Sequence, residues 1–154
     1  MIVDYLYNLI FLEGGVITLK LKIVGSGGMS IIPSSFCKCK ICEEARQKGG
    51  RYERLGPSLY IDDIKMLIDT PEDIAVACNR QKISEVKHIS ISHHDPDHVK
   101  GIRIVEKIGC DFITGENNPI GFYALPEVIE DINRTNLDCL KYYGDVINCI
   151  SINE

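Results

Sequence analysis

The chain has 154 residues, 45% of them apolar and 25% charged, with a formal net charge of −5. It is long and apolar enough for one ordinary domain with a core, which excludes a disordered tail. The acidic balance argues against a general electrostatic grip on nucleic acid or an anionic membrane surface.

Residues 1–17 ("MIVDYLYNLIFLEGGVI") are apolar but interrupted by Asp4, Asn8 and Glu13, and they lack a basic start and a small-residue cleavage site. They are also too short and polar to span a bilayer. They read as an N-terminal extension, either an extra edge strand or an upstream translational addition. Residues 16–24 then alternate apolar and polar, as a strand does, before breaking at Gly25, Gly27 and Gly28. That glycine loop lacks a following Lys-Ser or Lys-Thr, so it is a weak match to a phosphate loop.

A short helix is expected over 42–50, ended by Gly49-Gly50. "SLYI" (58–61) and "KMLI" (65–68) form a hairpin with Asp62-Asp63 in its turn. A helix over 73–82, a buried strand over 86–91 and a helix over 97–107 follow. Strands at 112–114 and 120–124, helices at 126–134 and 137–143 and a strand at 146–152 complete the series. Alternating strands and helices give an α/β class with one main domain over 18–154.

Seven cysteines, an odd number with no secretory pattern ahead of them, suit a reducing, cytoplasmic compartment. Cys78, Cys110, Cys139 and Cys149 each have apolar neighbours and read as core thiols. Cys37, Cys39 and Cys42 are different. Spaced C-x-C-x-x-C, they are badly placed for disulfides among themselves and well placed for a tetrahedral zinc, which would need a fourth ligand from elsewhere.

The densest chemistry lies in "ISISHHDPDHVKG". A strand ends and delivers His93, Asp95, Asp97 and His98 into one loop, with His98 in the first turn of the next helix. Imidazole nitrogens and carboxylate oxygens are ligands for zinc, manganese or iron, and a strand-to-helix loop is a stiff mount for them. A polar helix cap would need Asp97 alone and leaves three histidines unexplained.

"SHHDPDHVKG" resembles the H-x-H-x-D-H signature of the metallo-β-lactamase fold hydrolases, in which two metals share a bridging hydroxide. The resemblance implies His93 and Asp95 on the first metal and Asp97 and His98 on the second, with Asp97 the candidate catalytic residue. His94 falls on the variable position. Asp95 stands where the family usually has histidine, and a carboxylate there tilts the site from zinc toward manganese or iron. "MLIDTPEDI" resembles the family strand whose aspartate braces the metal loop, a role that falls to Asp69; a plain turn residue is the alternative. The cysteine run with "GGRYERLGPSLYI" resembles the phosphoribosyl cyclic phosphodiesterase branch, whose cysteine cluster carries a structural zinc.

The resemblance covers about residues 19–152 and the first half of the family's αββα sandwich, a mixed sheet with helices on one face. No histidine follows His98, and nothing downstream resembles the ligands of the second half. His88, inside a strand, reads as a core residue. The resemblance therefore implies a metal-dependent hydrolase of a small phosphodiester, without the C-terminal half and completed by a homodimer partner or another chain. A non-catalytic metal-binding fragment or subunit of a split hydrolase is the alternative from another class. A thioester or lactone hydrolase is the alternative chemistry.

Overall fold

In the computed structural model, residues 5–12, 15–135 and 144–152 are described. Seven strands form one sheet: β1 (Tyr5–Leu12), β2 (Gly15–Gly25), β3 (Ser58–Ile61), β4 (Met66–Ile68), β5 (His88–Ser90), β6 (Ile120–Ala124) and β7 (Ile147–Ser151). Their spatial order is their sequence order. β1 to β4 pair antiparallel and β4 to β7 pair parallel. A tight turn joins β3 and β4, residues 26–57 with α1 lie between β2 and β3, and helical crossovers separate the parallel strands. β1 lies at the sheet edge, paired with β2 along its whole length, so residues 5–12 belong to the sheet itself.

The helices are α1 (Lys40–Lys48), α2 (Ile74–Arg80), α3 (Pro96–Val99), α4 (Val105–Ile108) and α5 (Pro126–Thr135). The parallel ladder sets Leu67 beside Ile89 and Ile89 beside Phe122, so these three share a face. All three are fully buried, in one cluster with Ile74 of α2, Val99 of α3, Val105 of α4 and Ile132 of α5. Completely burying side chains of this size contributes about 1.5–3 kcal/mol each. Two polar ties fasten α2 and the segment after it to the sheet: Lys22 Nζ donates to the Gln81 carbonyl at 3.1 Å, and Tyr60 Oη to the Glu85 carbonyl at 2.7 Å.

The other sheet face presents Ile23, Leu59, Ile61, Met66 and Ile68, which the registers place side by side, and Ile150 beyond Ser90 and Tyr123. None of the six is buried, and Ile23 and Ile150 are 46% and 41% exposed. His88 sits half-buried on this face, its Nδ1 3.4 Å from Tyr123 Oη, and is not a core residue. Among the described residues no helix is long and apolar enough to cross a membrane.

Three further sequence expectations need correction. Residues 112–114 form a turn, because the Asp111 carboxylate accepts the Ile113 and Thr114 N–H groups and its acceptor geometry overrides local strand propensity. The helix expected over 97–107 is broken into α3, a 3₁₀ turn at Ile102–Ile104 and α4. The break falls at Gly101, where a β-carbon would stand 2.0 Å from the Pro71 carbonyl oxygen. Of the expected core thiols, Cys78 is buried, Cys110 half-buried and Cys149 exposed on the last strand. The helix expected at 137–143 and Cys139 lie outside the described residues.

Candidate metal centre

Asp69 ends β4 with φ +62°, a left-handed conformation that aspartate tolerates better than most side chains. That turn aims a carboxylate only 8% exposed at the loop after β5. Oδ1 accepts the Ser92 N–H at 2.8 Å, and both oxygens lie within 2.9 Å of Ser92 Oγ. Oδ2 is 2.9 Å from His98 Nδ1. The backbones are joined as well: Thr70 N–H donates to the His98 carbonyl and Gly101 N–H to the Thr70 carbonyl, both at 2.7 Å. The geometry is that of a brace across both ends of the 92–98 loop.

A carboxylate only accepts, so His98 donates from Nδ1, and in the neutral ring that tautomer leaves the lone pair on Nε2. Nε2 faces Asp97 Oδ2 at 3.6 Å. His93 repeats the arrangement: Nδ1 is 2.9 Å from Ser92 Oγ, and Nε2 is 3.5 Å from Asp95 Oδ2. The two rings lie 3.9 Å apart, tilted by 46°. An imidazole held through one nitrogen, with the other free beside a carboxylate, is how metal-ligating histidines are mounted. Two donors about 2.0–2.2 Å from one ion lie roughly 3.0–3.5 Å from each other, so each imidazole–carboxylate pair has nearly the spacing of neighbouring ligands. The residues fit a divalent ion as two half-shells, one pair each.

The four donors do not converge as a single group. Among the described residues, the cluster whose donor atoms all lie within 4.8 Å of one another is Cys37, Cys39 and Cys42. Cys39 precedes α1, and Cys42 is buried within that helix. The Cys42 Sγ accepts the Ser34 N–H at 3.4 Å, and Arg46 binds the Ser34 carbonyl at 2.8 Å, which holds the loop against the helix. The backbone N–H of Cys42, followed by the Cys37 and Cys42 thiols, lowers Cys39 to about 7. A thiol near that value is half thiolate at neutral pH, the form that binds zinc.

One contact beside the loop is absent from the motif reading. His94 Nδ1 lies 3.2 Å from Asp131 Oδ2 on α5. The signal in the sequence was a third histidine on a position the motif leaves variable.

A mixed sheet with helices on one face and a braced His/Asp loop beyond β5 is one half of the metallo-β-lactamase αββα sandwich. One solved structure that carries this likeness is a new diphosphatase from the PhnP family: TM-score 0.70, 24% identity, 86% of this chain and 50% of that chain covered. The chain thus spans half the length of that neighbour. No family model matches the sequence, and no curated protein matches it.

Proposed function

We propose that this chain is the metal-loop half of a metal-dependent hydrolase acting on a small phosphodiester. The observation that carries the reading is the pair of imidazoles, each engaged through Nδ1 and facing a carboxylate through Nε2. His93 with Asp95 would hold one divalent ion, and His98 with Asp97 a second. The carboxylate at Asp95 favours manganese or iron over zinc there, while Cys37, Cys39 and Cys42 suit a structural zinc. When bound, such ions neutralise charge developing on a phosphoryl oxygen and acidify coordinated water. The chain's own contribution is to fix donor identity, tautomer and spacing. The likeness to a diphosphatase of the PhnP family supports a phosphoryl substrate over a thioester or lactone.

Two ligands per ion are half a shell, so turnover needs a complementary half, supplied by a second copy or another polypeptide. The absence of histidine after His98 favours a second reading, a metal-binding subunit without activity of its own. A substrate panel separates the two. The chain, alone and with whatever co-purifies, is given bis-nitrophenyl phosphate, a thioester and a lactone with Mn²⁺ or Zn²⁺. Phosphodiester cleavage abolished by Asp97→Asn is the expected result. Retained metal with no turnover on any of the three selects the subunit reading.

A further inference from the structure

The Asp69 carboxylate holds the outer ends of the metal loop, at Ser92 and His98. It does not reach the middle. There the side chains of His93 and Asp95 are 45% and 61% exposed, so burial does not fix them either. The middle of the loop meets the rest of the fold through His94, whose Nδ1 lies 3.2 Å from Asp131 Oδ2. Asp131 is a firm anchor. It stands on α5, whose Val128 and Ile132 are buried in the core, and Arg134 binds its other carboxylate oxygen.

From this geometry we infer that His94 is a positioning residue: its contact with Asp131 fastens the centre of the loop to α5 and sets the separation between the His93–Asp95 and His98–Asp97 pairs. The mechanics follow from the sequence around it. Asp95 and Pro96 come next, and Pro96 has a fixed φ that starts α3. With residue 94 tethered on one side and Pro96 rigid on the other, Asp95 has little backbone freedom left. The loop is thus held at three points on two elements. Asp69 fixes the tautomer of His98, and Asp131 fixes where the other pair stands. The existence of the latch rests on this geometry alone; its effect on metal binding rests on the proposed metal centre.

The test compares His94→Ala, Asp131→Ala, the double variant and His94→Gln, whose amide can still donate to Asp131. Two quantities are measured: amide hydrogen exchange at residues 93–97, and Mn²⁺ affinity by titration calorimetry. Either alanine variant is expected to speed exchange at 93–97 and to weaken Mn²⁺ binding about threefold to tenfold, the range between a partly exposed charged pair and an outer-shell partner of a ligand. The double variant should be no worse than either single one, and His94→Gln should keep most of the parental affinity. Exchange at 93–97 unchanged in His94→Ala, or losses that add in the double variant, would overturn the latch. If the parent chain itself binds no Mn²⁺, the metal-centre reading fails, while the exchange data still decide whether the latch exists.

Discussion

Replacing Asp69 by Asn separates the brace from the fold. The backbone should survive, because Asn is also at ease at the φ of +62° found there. The Asn oxygen can still accept the Ser92 N–H, and its amide can donate to Ser92 Oγ. What changes is the group facing His98 Nδ1, 2.9 Å away. A carboxylate oxygen requires Nδ1 to carry the proton; an amide N–H there requires Nδ1 to accept and moves the proton to Nε2. That is the nitrogen directed at Asp97, and a protonated Nε2 has no lone pair for a metal. A hydrogen bond to a charged acceptor contributes about 1.5–3 kcal/mol, and partial replacement by the amide brings the expected loss of stability to about 1–2 kcal/mol. At about 2–4 °C per kcal/mol for a chain of this size, Tm should fall by only a few degrees. Metal affinity at the loop should fall about 10–100-fold, as for other residues that orient a ligand. Thermal unfolding of the metal-free chain and Mn²⁺ titration read the two quantities separately. Unchanged affinity in Asp69→Asn would refute the tautomer argument. A collapse of the fold that carries the affinity down with it would show Asp69 to be structural alone.

Three further outcomes follow from the same geometry. Cys39→Ser should lower the zinc content of the purified chain by elemental analysis, and equally low zinc in the parent would make the three thiols bystanders. Burial pushes the Cys78 thiol up to about 11, so at pH 8 roughly one part in a thousand is thiolate. Iodoacetamide should therefore spare Cys78 in the folded chain, with labelling appearing only as pH rises toward 11 or the chain unfolds. The face carrying Ile23, Leu59, Ile61, Met66, Ile68 and Ile150 is apolar and incompletely covered, and apolar faces of sheet size mark association surfaces. Sedimentation at micromolar concentration should show a dimer, a partner complex or aggregation, and a stable monomer that binds no hydrophobic dye would contradict this.

The candidate site stood out in the sequence where chemistry was concentrated, and the fold was legible where periodicity was clean. The hairpin of β3 and β4, strand β6 and helix α5 follow from alternation, turn residues and helical spacing. The loop of His93, Asp95, Asp97 and His98 stood out because so many ionisable groups crowd few positions. Longer-range effects were not legible. Nothing local to Gly101 announces that its N–H will turn to the Thr70 carbonyl, in a space beside Pro71 too close for a β-carbon, where a helix of regular apolar spacing is interrupted. Phe112, Ile113 and Thr114 have strand propensity, but one carboxylate at Asp111 is enough to curl them. The contact of His94 was hidden because Asp131 lies far along the chain on another element.

The coincidence of spatial and sequence order in the sheet has a consequence for how the molecule is made. Each strand emerging from a ribosome finds its neighbour already in place, so the sheet can be laid down strand by strand without waiting for distant segments. Asp69 is synthesised before the loop it grips, and Asp131 after it. The brace can therefore form during synthesis, with the α5 contact closing later. No ladder among the described strands needs a strand from outside, so a complementary half would have nothing to thread between them. It would meet a finished surface and be laid on it, which is an assembly two separate polypeptides can perform as well as one.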